Sequence, residues 1–203
     1  MKKRDHKITE AGTLPPMPRQ YSARVVRSDG QWSMNYQDGR KDRIEVYNQT
    51  GLLHIIISRS DKGVIWMLDP NTMAYHQSKL SKGLEHAFSP EMLFDWVADG
   101  SEIIDRRRYQ RFVGRLILKK GVLGEIFELC FLDMKTGMRR RFVTVPNGTK
   151  RKPSMVVDYL DVALGKPPRS LFELPNGYKR GKSCFRAGRG GPHPLDRKTQ
   201  KLS

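Results

Sequence analysis

Residues 54–77, HIIISRSDKGVIWMLDPNTMAYHQ, read as two apolar strands and the start of a third. Asp61-Lys62-Gly63 and Asp69-Pro70-Asn71 interrupt the apolar runs with the residue types that tight turns require. Side chains alternate across a strand, so in LLHIIIS Leu53, Ile55 and Ile57 share one face while His54 and Ile56 share the other. In VIWML both faces are apolar, and such a strand has to be covered on both sides.

The same grammar runs upstream. YSARVVRS, QWSMNYQ and RKDRIEVYN are short, rich in Val, Ile, Tyr and Trp, and bounded by Asp29-Gly30, Asp38-Gly39 and Gln49-Thr50-Gly51. This pattern predicts an antiparallel meander. Downstream, SPEMLFDWVADG (89–100) carries helix signals: Ser89 as N-cap, Pro90 at the first position, Gly100 at the end, and a stripe of Met92, Leu93, Trp96 and Val97. A helix over 89–100, lying on the sheet, is expected there.

Strand character then resumes in SEIIDRRRYQRFVGRLILKK, EIFELCFLD, MRRRFVTVPNG and SMVVDYLDVAL. In RFVGRLIL, Phe112, Leu116 and Leu118 point one way and Arg111, Val113, Arg115 and Ile117 the other, which predicts one core face and one basic, wet face. In MRRRFVTV the alternation sets Arg139, Arg141 and Val143 against Arg140, Phe142 and Thr144. LFELPNGYKR (171–180) reads as an edge segment that packs Phe172 and Tyr178 on the sheet. The chain is thus expected to divide into a flexible leader (1–20), one mainly β domain (21–180) and a disordered basic tail (181–203) whose Gly, Pro and charge lack apolar periodicity.

The formal net charge is +17. Residues 1–20 hold five Lys or Arg against two acids and residues 181–203 six against one, so the two ends account for +8 of it. Within the domain the charge concentrates at Arg106, Arg107, Arg108, Arg111 and Arg115, at Arg139, Arg140 and Arg141, and at Lys150, Arg151 and Lys152. If the strands bearing these runs are neighbours they make one basic surface, suited to an anionic membrane or to nucleic acid; the alternative is a solvated face without a partner.

No signature of catalysis is present. GVLGE and AGRGG lack the Lys-Ser/Thr of a phosphate loop, Asp158 and Asp161 are better placed to ion-pair with Arg139–Arg141 than to act as acid and base, and His54 and His76 suit structural roles. The five histidines are scattered, with no metal-binding spacing, so neither a metal nor a cofactor is expected, and Cys130 and Cys184 are too few for a disulfide framework. The longest apolar stretches fall far short of the roughly 20 residues of a membrane-spanning helix. The opening MKKRDHKITEAG is basic without a following apolar segment.

The order of these strings resembles the outer-membrane lipoprotein-sorting protein family, the LolA-like group, over residues 21–180. The matching residues are Arg43-Ile44-Glu45, then Asp61, Trp66, Leu68, Pro70 and Tyr75, then Gly100 and Glu102, then Asp133, Thr136 and Gly137, and finally Phe172, Pro175, Gly177 and Tyr178. The resemblance implies a curved antiparallel half barrel covered by helices, which binds acyl chains or another apolar ligand and performs no catalysis. It implies a periplasmic or envelope location, with a cytoplasmic one as the alternative, and a monomer is expected. The expected cavity wall is Ile55, Ile57, Trp66, Leu68, Met92, Trp96, Phe112 and Leu116. Arg43 stands where the family's lid-locking arginine would be; a surface ion pair with Glu45 or Asp42 is its other reading.

Overall fold

The computed structural model describes residues 12–80, 95–117, 125–146 and 152–181. They form one open, curved sheet of 12 strands. The first meander comprises β1 (Gln20–Arg27), β2 (Trp32–Asp38), β3 (Lys41–Asn48), β4 (Gly51–Arg59), β5 (Val64–Asp69) and β6 (Ala74–Lys79). The second comprises β7 (Asp95–Ile104), β8 (Arg107–Ile117), β9 (Glu125–Leu132), β10 (Arg139–Pro146) and β11 (Met155–Leu164). A 3-10 turn, Arg169–Phe172, and the two-residue β12 (Lys179–Arg180) follow.

The strand order is β12-β6-β5-β4-β3-β2-β1-β11-β10-β9-β8-β7. Each meander runs outward from neighbour to neighbour, and the β1–β11 pairing, from Tyr21↔Leu164 to Arg27↔Val157, joins the two. Only β12 runs parallel to its neighbour, β6. The hairpins of the first meander fall at the turn residues read from the sequence. Asp38 pairs with Lys41 across a turn in which Gly39 takes a φ of 64°, a left-handed value that glycine adopts without steric cost.

Three local expectations are corrected. Residues 95–100 belong to β7 and are not helical; residues 89–94 of the expected helix lie outside the described residues. Trp96 pairs with Gly114 on β8 and exchanges two 2.9 Å backbone hydrogen bonds with Gly12, so tertiary pairing outweighs the local capping signals. Residues 101–117 are not one strand, because Ile104 pairs with Arg107 across a two-residue turn in which Asp105 and Arg106 have φ of 49° and 64°. Such a turn usually advertises itself with Asn-Gly, and here it carries neither residue. In β10, Arg139 and Arg141 oppose successive residues of β9, Leu132 and Phe131; the bulge at Arg140 turns Arg139 to the Phe142 side.

Cross-strand partners share a face, so the register sorts the whole sheet into two. One face carries Ile55, Ile57, Trp66 and Leu68 in the first meander and Phe131, Val143 and Val145 in the second. The other carries Asp42, Ile44, Ile56 and Ile65, and further along Phe142, Cys130, Phe112 and Trp96. Residues 12–19, expected as part of a flexible leader, cross this second face. Leu14 is buried among Trp96, Cys130, Leu132 and Phe142, and Met17 packs against Tyr21, Ala23 and Met138. Gly137 passes so close beneath them that a Cβ there would stand 3.0 Å from the carbonyl oxygen of Pro16.

Candidate functional site

On the first face the segment Gly165–Gly181, here called the strap, closes over β3–β6. Phe172 is fully buried, and Leu174 and Tyr178 pack on the Ile55–Ile57–Leu68 cluster together with Trp66 and Tyr75. Two buried arginines fix it. Arg43 donates through Nε to Glu45 at 2.7 Å and through Nη1 to the carbonyl oxygen of Leu171 at 3.1 Å. Arg59 donates to both carboxylate oxygens of Asp61 at 2.8 and 2.7 Å, to the carbonyl oxygen of Phe172 at 3.1 Å and to Glu173 at 2.7 Å.

The electrostatics follow the geometry. Hydrogen bonds from Arg59 hold Asp61 down to about 2, against the opposing effect of its partial burial. Burial pushes Glu173 up, yet hydrogen bonds from Arg59 and Lys62 outweigh it and leave the carboxyl below its ordinary value. A planar guanidinium serves carboxylate and carbonyl acceptors at once, which an ammonium could not do in this arrangement. Arg43 is therefore not on the surface, and the Leu171 carbonyl it bonds belongs to the 3-10 turn Arg169–Phe172. It ties the strap to β3, and it also makes the Glu45 ion pair.

Among the described residues, the opposite face of the same strands is open. A cleft of about 440 Å³ lies beside Pro16 and Met17, with Ile44, Ile56, Ile65, Leu80 and Tyr21 as its apolar lining and Asn35, Gln37, Asp42 and Ser58 as its polar one. Arg40, which donates 2.9 Å to the carbonyl oxygen of Ser60, stands at the end where the β2–β3 and β4–β5 turns meet. Asp42 makes no hydrogen bond or ion pair among the described residues, and burial pushes its carboxyl up to about 6. Glu128 on the same face is raised likewise by burial, only partly offset by Thr144 and Arg139.

The expected wall is therefore split. Ile55, Ile57, Trp66 and Leu68 lie together under the strap. Trp96 and Phe112 lie on the other face, in the cluster beneath Leu14. Met92 and the side chain of Leu116 lie outside the described residues. Ile44, Ile56 and Asp42, which line the cleft, were not picked out; their signal was the apolar second face of β3–β5.

The basic residues do not form one surface either. Arg139 is buried, its guanidinium 5.2 Å from the Phe142 ring, and Arg141 is on the opposite face, bonded to Asp158 at 2.7 Å. Arg111 pairs with Asp99 at 2.7 Å, and Arg115 lies 5.9 Å from the Phe127 ring. Arg106, Arg107 and Arg108 stand exposed in and beside the β7–β8 turn. Asp158 also takes a 2.6 Å bond from Arg140, so its expected role as an ion-pair partner is the one observed; Asp161 pairs with Arg24 on β1. Among the described residues no three His, Cys, Asp or Glu are grouped as a metal site would need.

No protein-family model and no curated protein matches the chain. Solved structures do. The chain is similar to the MucA/MucB complex structure of Pseudomonas aeruginosa at 14% identity, covering 79% of this chain and 58% of that one with a TM-score of 0.48. It is similar to a LolA superfamily protein from Nitrosomonas europaea at 12% identity, covering 76% and 88% with a TM-score of 0.32. LprF from Mycobacterium bovis gives 10% identity, 79% and 90% coverage and a TM-score of 0.36. LolA-like proteins are thus among the solved structures this chain resembles, at low sequence identity. The chain spans little more than half the length of the MucA/MucB structure it matches. Strand order and register, rather than these likenesses, carry the description of the fold.

Proposed function

We propose that this chain is a non-enzymatic envelope protein that binds an apolar ligand, a lipid or the acyl chains of a lipoprotein, in the cleft between residues 16–17 and the Ile44–Ile56–Ile65 face. The observation that carries the reading is the contrast between the two sides of β3–β5. The strap buries Ile55, Ile57 and Leu68 on one side, whereas among the described residues the other side leaves Ile44 and Ile56 half-buried around a cleft whose volume falls within the roughly 300–1,000 Å³ of small-molecule sites. Binding is driven by removal of alkyl surface from water, worth about 25 cal/mol per Å², while Asn35, Gln37 and Asp42 orient the polar end of the ligand. The resemblance of the 54–77 hairpin and of the closing LFELPNGYKR string to the LolA-like group supports the same ligand class. Trp96 and Phe112 lie further along this face, packed with Leu14 and outside the lining of the cleft.

Native mass spectrometry with lipid extraction, on protein purified from an envelope fraction, tests the proposal. Co-purifying acyl species that disappear in Ile56→Glu support it. A bare protein mass, or lipid retained unchanged by that variant, overturns it.

A further inference from the structure

Among the described residues, five large apolar side chains stand exposed, and four of them gather at one end of neighbouring strands: Ile103 (65%), Met134 (60%), Leu164 (52%) and Val162 (38%). Ile103 precedes the β7–β8 turn, Met134 sits in the β9–β10 turn, and Val162 and Leu164 end β11. The register brings these together, since Gln110 and Arg139 both pair with Leu132, and Arg140 reaches Asp105 at 2.6 Å to tie one turn to the other. The turns and the β11 end surround a shallow depression of about 570 Å³ that Arg107, Thr136, Val162 and Leu164 help to line.

Around these apolar tips stand Arg106, Arg107, Arg108, Lys135 and Lys166, all exposed. The acids of the same end have partners, while Asp105, Asp161 and Glu102 stay exposed. Asp105 is held by Arg140, Asp161 by Arg24, Asp133 accepts the backbone N–H of Lys135, and Glu102 lies 3.8 Å from Arg111. The end therefore projects cations and aliphatic side chains, with the charge of Asp105 and Asp161 offset by arginines. A contiguous exposed apolar set rimmed by cations marks an interaction surface, and aliphatic tips with basic flanks match an anionic bilayer, whose headgroups attract the cations while the boundary region takes up the tips. Nucleic acid fits less well, because the exposed apolar groups are aliphatic and offer no ring for base stacking.

We propose that this end of the sheet seats on an anionic lipid bilayer, with Ile103, Met134 and Leu164 entering the headgroup boundary and Arg106–Arg108, Lys135 and Lys166 contacting lipid phosphates. The surface is separate from the cleft and does not depend on what the cleft holds.

Co-sedimentation of the full chain with vesicles is the test. Binding is expected to phosphatidylcholine vesicles containing phosphatidylglycerol and not to phosphatidylcholine alone. Ile103→Ser with Met134→Ser should lower partitioning roughly tenfold at unchanged thermal midpoint, and Arg106, Arg107 and Arg108→Gln together by about a hundredfold, at about fivefold per cation. Because the basic chain ends could also hold the protein on vesicles, an environment-sensitive dye placed at Met134→Cys in a Cys184→Ser background reports the seat directly. It should shift to the blue on anionic vesicles, while the same dye at Thr50→Cys, in a turn at the opposite end, should not. Absence of vesicle binding, partitioning indifferent to the Ile103/Met134 pair, or equal dye responses at both ends overturns the proposal. So does stronger retention on single-stranded nucleic acid that depends on the arginines and ignores the apolar pair. None of these outcomes bears on the lipid content read by native mass, so a failure here is distinguishable from a failure of the cleft.

Discussion

Ile55, Ile56 and Ile57 are three consecutive copies of one side chain, and the fold gives them two fates. Ile55 and Ile57 are buried beneath the strap, Ile57 completely, while Ile56 faces the cleft half-buried. Hydrophobicity does not distinguish them; the covering element does. The strap is a built cover, with Phe172 inserted and two arginines holding the carbonyls of Leu171 and Phe172. On the cleft side the described cover is Pro16 and Met17 at one edge. On the function proposed above, one face of β4 serves stability and the other takes the ligand.

The largest expected effect that sharpens this contrast comes from Phe172→Ala, which removes a fully buried ring and should cost about 3–5 kcal/mol in urea unfolding. Ile56→Ser should cost about 1 kcal/mol, the ordinary cost of a half-buried site, while abolishing lipid uptake. Similar costs for the two would erase the difference between the faces.

Next comes Arg59→Ala, expected to destabilise by about 2–4 kcal/mol because it strands Asp61, Glu173 and the Phe172 carbonyl together. Arg59→Lys should not restore the loss, since a single ammonium cannot span all three acceptors. Full rescue by lysine would mean that the arginine acts only as a charge. Protease sensitivity of the strap in Arg59→Ala locates the effect.

The last stability change also belongs to the cleft side and has the opposite sign. The Asp42 carboxyl rises from 3.8 to about 6 on folding, so between these values the folded state binds more protons than the unfolded one, and its contribution to stability falls as pH rises through that window. Asp42→Asn should therefore stabilise the chain by about 1–2 kcal/mol above pH 6, with the advantage vanishing below about pH 4. Denaturation midpoints of both proteins across this range check the sign; an advantage that persists in acid would mean that burial of the charge is not the cause.

Much of the first meander was legible, because Asp29-Gly30, Asp38-Gly39, Asp61-Lys62-Gly63 and Asp69-Pro70-Asn71 mark its turns locally. The second was less so. Asp105-Arg106 makes a tight turn without glycine, the bulge at Arg140 inverts the alternation of β10, and residues 95–100 exchange helix signals for pairing with Gly12 and β8. Trp66 and Trp96 do not share one wall for a related reason: their faces are connected only through the register of nine strand pairings, and bulges at Ser22–Arg24 and at Arg139–Arg141 lie along the way. Arg43 was singled out by position, but its partner, the Leu171 carbonyl, is 128 residues away and belongs to no motif.

The most direct test of the central claim is photo-crosslinking with a fatty acid that carries a diazirine on its alkyl chain, followed by peptide mapping. Labels on the cleft side of β3–β5, at Ile44, Ile56 and Ile65, are the predicted result. Labels on Ile55, Trp66 or Leu68 beneath the strap, or none in either region, would contradict it.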